Sequence, residues 1–520
     1  MAEVRDVDVL ILGGGINGCG TFRDLCAQGV DCLLLERADF CAGASAGSSR
    51  LMHGGLKYLE TGEFRLVRES AEERNRLLSN AAHYVRPLPS ILPLRSRYGG
   101  ILPSILRFFR IKAKMADRGG WITHLGLTLY DIYGRSFARM PKHRMLSRAA
   151  LDGTVPGLDP AIIGAGLYYE GQISHAERLG LELVLDGEVL NPSSRALNHV
   201  MVEGQSDGVV TYLHEGRQQR VRPRIIVNAG GAWIDRVNAA LGIPTQLMGG
   251  SKGAHLVVEN AALLKALNGH MVYFGTADGR VNLVYPFMGR VLIGSTDIKI
   301  EDPDAAVCDE GEADYLRAVV AEIFPAIPVT EDQILFRFSG VRPLPRADGD
   351  IGLVTRDHSV AEKSLPSGVP VLCLIGGKWT TFRAFGALVT DDILRRLGHV
   401  RRVGTEDMQI GGGKDFPGAE GRAEWVAACA ERAGIDVARA GVLLARYGTR
   451  AGLVAAGLGA DRPLESLPDY SREELLWLIR NERVGSAEDL IRRRTDIAIS
   501  GRLTDAVQRE VEGLFAKALT

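Results

Sequence analysis

The chain has 520 residues, 46% hydrophobic and 24% charged, with a formal net charge of −1 at pH 7. That length exceeds one compact core, so two or three domains are expected, and the composition excludes a disordered chain. The balanced charge leaves no global field to recruit nucleic acid or hold the whole chain on an anionic membrane, and no broad basic stripe with interleaved aromatics marks a nucleic-acid binder.

In chain order, the first element is the continuous apolar run Val7 to Leu12, the pattern of a parallel strand buried on both faces. Glu3, Arg5 and Asp6 precede it, which is unlike a secretory signal. A helix is expected from Ile16 to Gln28, stopped by Gly29, and a second buried strand from Asp31 to Glu36, which completes a βαβ unit. The turn signals Asp207-Gly208 and Glu215-Gly216 divide Val200 to Asn228 into antiparallel hairpins, followed by a short strand at Ile225 to Val227. A second, mixed β region follows, with HLVVE, MVYF, NLVYPF and VLIGSTD separated by short turns. These segments do not fall into consecutive domains, so two interleaved sheets are expected over 1–400. A glycine-rich connector near Arg401 to Gly418 marks a boundary, and 401–520 reads as a helical domain with helices at Ala423 to Ala433, Ala438 to Arg446, Arg472 to Asn481, Ala487 to Arg493 and Thr504 to Leu519.

The seven cysteines are scattered, without a C-x-x-C pair or a metal-ligand cluster, so they are expected to be reduced core residues of a cytosolic chain, and no metal is expected. No run of about 18 apolar residues exists to form a spanning helix.

Gly13-Gly14-Gly15-Ile16-Asn17-Gly18 fits G-x-G-x-x-G: the first glycine permits the turn, the second admits a pyrophosphate, and the third lets helix and strand pack closely. A glycine turn in an unrelated α/β protein would satisfy the hexapeptide alone. Its context adds weight, because a strand precedes it, a helix follows, and Glu36 closes the second strand about 20 residues on, where an acid accepts ribose hydroxyls. The helix N-terminus offers its N–H groups to phosphates. This geometry does not choose between FAD and NAD.

The next block is more specific. Ser48-Ser49-Arg50-Leu51-Met52-His53-Gly54-Gly55-Leu56-Lys57-Tyr58-Leu59-Glu60 resembles the S-S-K-L-I-H-G-G-L-R-Y-L-E motif of the FAD-dependent glycerol-3-phosphate dehydrogenases. The resemblance continues through Glu63 to Val67, Ile293 to Asp297, Ser339 to Leu344, Thr355 to Asp357 and Gly376 to Arg383, and in the tail at Arg446 to Arg450 and Arg493-Arg494-Thr495. It therefore covers most of the chain.

The resemblance implies a fold like that of D-amino-acid oxidase: a Rossmann-type FAD domain interleaved with an antiparallel β substrate domain, plus a C-terminal helical domain. It implies FAD as cofactor, held by Gly13, Gly14, Gly15, Asn17, Gly18, Glu36, Ser48, Ser49, His53, Gly54, Gly55, Gly377 and Thr380, with Gly230 and Trp233 in a second contacting loop, Asn228 to Trp233. The implied reaction takes a hydride from the carbinol carbon of sn-glycerol 3-phosphate as its hydroxyl loses a proton, giving dihydroxyacetone phosphate. The phosphorylated substrate falls to Lys57, Tyr58, Thr296, Arg342, Arg356 and Lys378, because Arg recognises phosphate bidentately and Lys serves as a point charge. His53, Arg342 and Lys378 are the catalytic candidates; His53 suits a proton acceptor and equally a residue that orients the flavin ring.

Lys57 stands where the family carries arginine, His175 lies where it usually carries acids, Tyr98 to Gly120 reads as lengthened, and Tyr168 to Leu185 differs in its polar residues. A longer substrate such as erythritol phosphate is therefore a second expectation, and an oxygen-using glycerol-phosphate oxidase a third. A non-catalytic flavin-binding regulator fits least well with so many retained cations. In ILPSILRFFRIKAKMADRGG, Leu102, Ile105, Leu106 and Phe109 combine with Arg107, Arg110, Lys112 and Lys114 as in a membrane-interface helix, and equally as in a helix packed on the protein with a solvated basic side. The resemblance favours peripheral attachment to the cytoplasmic face of the inner membrane with electrons passed to quinone. It also admits a homodimer, which nothing in the sequence fixes.

Overall fold

The computed structural model describes residues 3–55, 63–99, 119–134, 140–276, 279–346 and 357–519. The expected βαβ unit is present as β1 (Val4–Leu12), α1 (Ile16–Ala27) and β2 (Cys32–Leu35). All four residues of β2 and the last four of β1 are buried, as their unbroken apolar runs require. β1 pairs in parallel with β2 and with the strand Arg217–Asn228, which pairs in parallel with Pro370–Ile375. Helix α1 packs on the helices Ala176–Leu190 and Phe382–Leu397 and closes one face of the sheet. Phe22, Leu25, Leu181, Val184, Phe385 and Val389 fill that core.

The second sheet is mostly antiparallel, running from Ile298–Ile300 through Met248–Val258, Arg290–Gly294, Val281–Phe287, Met271–Gly275 and Val85–Leu94 to Gly164–Ile173 and Leu51–Met52. The long strand Ile334–Pro345 pairs along Met248–Val258. The chain enters this sheet, returns to the first for 195–228, leaves again for 248–345 and ends the first sheet at 359–375, so the two are interleaved.

The expected strand Ile225 to Val227 is the end of one longer strand. Arg217–Asn228 pairs antiparallel with Val209–His214 through Val221 and runs on beside β1 without a break. Between HLVVE and MVYF the expected short turn is replaced by a helix, Ala261–Leu267, nucleated by Asn260, whose side chain accepts from Leu263 N at 2.9 Å. Six cysteines are buried, while Cys308 is only partly so, which corrects the uniform core reading.

Beyond 403 the chain forms helices at Arg422–Ala433, Val437–Tyr447, Arg472–Asn481 and Asp505–Leu519 around their own core of Leu443, Leu444, Leu475, Leu478 and Val511. A further short helix, Ala451–Ala456, lies between Gly448 and Gly457 and is too short to show a period. The expected helix from Ala487 to Arg493 is one α-turn, Ala487–Asp489, followed by a π-helical stretch Leu490–Arg494. Thr495 N and Oγ1 both donate to Leu490 O, at 3.0 and 2.8 Å, and close the wider turn. Among the described residues no helix is long and apolar enough to cross a membrane.

Candidate active site

Five segments distant in sequence meet at the C-terminal end of β1. Gly13 (φ +110°) turns the chain into α1, and a Cβ there would lie 2.6 Å from Ala229 O, so the loop 228–233 closes directly on it. A Cβ on Gly18 would lie 1.9 Å from Gly13 O, which makes glycine obligatory where α1 leaves the turn. Ile16 N donates to Ser45 Oγ at 3.0 Å, fixing the loop after β2 on the start of α1. Trp379 Nε1 reaches Ser45 O at 2.9 Å, and Asn17 Nδ2 reaches Gly376 O at 3.0 Å, which bring in the loop 376–381. Thr380 Oγ1 donates to His53 O at 3.2 Å and clasps the turn His53-Gly54-Gly55 to it.

Glu36 is where the spacing expects it. Its carboxylate accepts from Gly14 N at 2.6 Å and Ala38 N at 2.8 Å. Burial pushes its carboxyl above the usual range, and these two N–H groups pull it back. Ser48 Oγ accepts from Arg50 N at 3.3 Å. Trp233 packs against Gly43, where a Cβ would meet its ring at 3.0 Å, while its Nε1 donates to Asp304 at 2.8 Å. Gly230 N donates to Asn228 Oδ1 at 3.1 Å, and Gly377 lies against the Asn17 side chain, which meets a would-be Cβ at 2.6 Å.

Among the described residues, the cations of the substrate side lie on one of these segments and on the second sheet. Lys378 Nζ donates to Ser70 Oγ at 3.0 Å, on the helix Phe64–Asn80. Arg342 Nη1 reaches Asp297 at 3.2 Å and Ser251 at 3.3 Å, and its Nη2 reaches Ser295 Oγ and Thr296 O, both at 3.0 Å. Two residues earlier, Gly340 abuts the backbone of Gly47, which joins this strand to the loop after β2. The Thr296 hydroxyl is buried, donates to Glu312 at 2.6 Å and accepts from Ala254 N at 2.8 Å, while its carbonyl accepts from Arg342. Lys57, Tyr58, Arg356 and most of the segment Tyr98 to Gly120 lie outside the described residues.

Two features had no motif to announce them. His255 Nε2 lies 2.8 Å from Ser49 Oγ, and its ring stacks on Phe338 with centroids 4.9 Å apart. Burial, with Arg342 and Arg50 adding to it, pulls its pKa down to about 3, so the ring is neutral at physiological pH. The second is a buried network under the His53 turn. Gly54 N donates to both Tyr130 Oη and Glu170 Oε2 at 2.9 Å, Tyr130 Oη donates to Glu170 at 2.8 Å, and Arg74 Nη1 reaches Tyr130 Oη at 2.7 Å and Glu170 at 3.3 Å. The signal was an acid inside the apolar strand YYEGQI and an arginine on the inner face of an amphipathic helix. His175, unassigned from sequence, is half-buried with Nδ1 2.9 Å from Ser174 Oγ, and desolvation lowers its pKa to about 3.

The glycine turn, the helix N-terminus behind it and the acid at the end of β2 define a dinucleotide-binding oxidoreductase fold. The cradle fits such a group: Asn17 Oδ1 is buried at the start of α1 with no protein partner among the described residues. The chain belongs to the FAD-dependent oxidoreductase family, which matches residues 8–391, and residues 403–520 match the C-terminal domain of alpha-glycerophosphate oxidase. It is 33% identical to a glycerol-3-phosphate dehydrogenase of Synechocystis sp., covering 95% of this chain and 89% of the relative. It is 32% identical to a D-erythritol 1-phosphate dehydrogenase of Brucella abortus, covering 95% of each. In fold it is similar to the FAD complex of a glycerol-3-phosphate dehydrogenase from Bacillus halodurans, with a TM-score of 0.74, 23% identity and coverage of 99% of this chain and 92% of that one.

Proposed function

We propose that this FAD-dependent oxidoreductase oxidises a phosphorylated polyol, sn-glycerol 3-phosphate first, to the ketone, dihydroxyacetone phosphate. The observation that carries the reading is the clasp of the His53 turn onto the Lys378 loop beside the glycine cradle, with Arg342 and His255 ranged near Ser49. Gly13, Gly14, Gly15, Asn17 and Gly18 would hold the cofactor's phosphates and Glu36 a ribose, and the loops of Ser48 to Gly55, Gly230 to Trp233 and Gly377 to Thr380 would supply its remaining contacts. Bound FAD supplies the two-electron acceptor for the hydride that leaves the carbinol carbon.

The residues of the chain orient the substrate and manage its charge. Arg342 and Lys378 grip anionic oxygens, and their fixed partners Asp297, Ser251, Ser295 and Ser70 hold them in place beforehand. Arg342 also stabilises negative charge on the hydroxyl oxygen as its proton leaves. A neutral imidazole with a pKa near 3 is a poor proton acceptor at neutral pH, so His255 orients Ser49, and we assign the proton to His53, the catalytic candidate whose turn is clasped to the Lys378 loop.

A second reading, oxidation of a longer polyol phosphate such as erythritol phosphate, is favoured by the relative of that activity, which is as similar to this chain as the glycerol-phosphate relative. Steady-state kinetics on both phosphates decides between them: a higher kcat/KM for glycerol 3-phosphate supports the first, and a clear preference for erythritol phosphate replaces it. For the electrons we infer a quinone at a membrane surface, reached peripherally. Reoxidation of reduced enzyme by a soluble quinone faster than by oxygen supports that acceptor, and the reverse makes the protein an oxidase.

A further inference from the structure

The motif Arg493-Arg494-Thr495 lies far in sequence from the segments of the site and takes no part in the chemistry above, yet it ends on the cofactor cradle. Asp39 is completely buried, three residues beyond Glu36. Its Oδ2 accepts from Arg494 Nη1 at 2.6 Å and Arg493 Nε at 2.7 Å, and its Oδ1 accepts from Arg494 Nη2 at 2.8 Å and Asn198 Nδ2 at 2.9 Å. Arg494 is equally buried and is fixed from behind, its Nε donating to Glu482 O at 2.7 Å and its Nη2 to Arg483 O at 3.1 Å. Arg493 is held by Asp489 at 2.7 Å. The π-helical stretch turns three consecutive arginines out of α-helical register, which lets neighbours in sequence grip one carboxylate.

Three residues that flank Asp39 touch Gly14. Glu36 Oε2 accepts from Gly14 N, Cys41 N donates to Gly14 O at 2.9 Å, and a Cβ on Gly14 would meet Phe40 at 2.8 Å. The chain from the helical domain to the cradle therefore has one buried ionic joint and then three short contacts.

We propose that Arg494, seconded by Arg493, is a positioning residue for the cofactor: the C-terminal helical domain pins Asp39, and through it the segment Glu36 to Cys41, against the glycine turn, so that this domain contributes to FAD retention. The proposal rests on the family's cofactor and is independent of which polyol is oxidised. Removing Arg494 leaves a buried carboxylate short of donors, and the segment must move to rehydrate it.

The test is FAD dissociation from full-length holoprotein, followed on dilution by the fluorescence of released flavin, in wild type, Arg494→Lys, Arg494→Gln, Arg493→Gln and Arg446→Lys. Arg446 binds Asp469 and Glu474 inside the helical domain and does not touch Asp39, so it reports a domain that is merely loosened. Expected are a rise in Kd of about tenfold for Arg494→Gln, a smaller rise for Arg494→Lys and Arg493→Gln, and less than about a twofold change for Arg446→Lys. Equal Kd values in wild type and Arg494→Gln, or an equal rise in Arg446→Lys, overturn the proposal. If Arg494→Gln does not fold, Arg493→Gln decides alone, and an unchanged Kd there overturns it. A wild-type protein that holds no FAD sinks the flavin assignment itself, which is a different result from variants that bind as well as wild type.

Discussion

Glu170→Gln is the sharpest test of how the His53 turn is held. Glu170 and Arg74 have side chains 4% and 3% exposed, and Glu170 also takes donors from Gly54 and Tyr130. Burial pushes the Glu170 carboxyl up while Arg74 and these donors oppose it, so the pair is held by hydrogen-bond geometry as much as by charge. The substitution keeps the shape and one acceptor but strands the Arg74 charge, so the expected loss is near the low end of a broken buried pair, about 3 kcal/mol. A protein of ordinary stability, ~5–15 kcal/mol, survives that loss. Because Gly54 N loses its charged acceptor beside His53, a fall in kcat/KM of about tenfold or more should accompany it. Urea unfolding of FAD-saturated protein reads the first quantity and steady-state kinetics the second. A stability change under about 1 kcal/mol together with unchanged kinetics would refute the reasoning.

Four further outcomes are expected. Gly18→Ala places a Cβ 1.9 Å from Gly13 O, an overpacking cost of about 1–3 kcal/mol borne by the cradle, so FAD should bind about tenfold or more weakly by fluorescence titration. Arg342→Gln and Lys378→Gln should each lower kcat/KM by roughly 10–100-fold, Lys378→Gln mainly through KM and Arg342→Gln through kcat as well, as loss of charge-assisted bonds worth about 1.5–3 kcal/mol implies; wild-type kinetics in both would remove them from the substrate site. His255 should keep the NMR signature of a neutral imidazole down to about pH 5, and protonation near pH 6.5 would show that its burial has been misjudged. His199 Nε2 lies 2.7 Å from Asp489 Oδ2, and this contact should be pH-sensitive in both directions. The hydrogen bond His199 donates to Asp489 raises the His199 pKa, so that contribution is full below about pH 6.5 and lost as pH rises through the raised value. His199 and Arg493 hold the Asp489 carboxyl far below its usual range, so its contribution is full above about pH 4 and lost only in strong acid. Thermal unfolding against pH should lose its alkaline-side slope in His199→Gln, and an unchanged slope would detach His199 from the joint.

The cradle was legible because each of its demands is local. A turn that admits only glycine, a helix start and an acid at a strand end fall within one short stretch from Gly13 to Glu36. The interleaving of the sheets was also legible, since strands with different patterning alternate along the chain. What escaped depends on partners distant in sequence. Thr296 carries the same hydroxyl whether it faces substrate or Glu312, and only the fold shows that it faces Glu312. Tyr130 and Glu170 reach Gly54 from a helix and a strand whose own patterns describe only their burial. The Arg493-Arg494 stretch resembles a plain amphipathic turn until Asp39, more than four hundred residues earlier, is set beside it.

The most direct measurement is anaerobic addition of sn-glycerol 3-phosphate to the purified holoprotein while the visible flavin absorption is recorded. Loss of the oxidised-flavin bands, with one equivalent of dihydroxyacetone phosphate formed per flavin reduced, is the result expected. A spectrum unmoved by glycerol 3-phosphate and by erythritol phosphate alike would contradict a polyol-phosphate dehydrogenase.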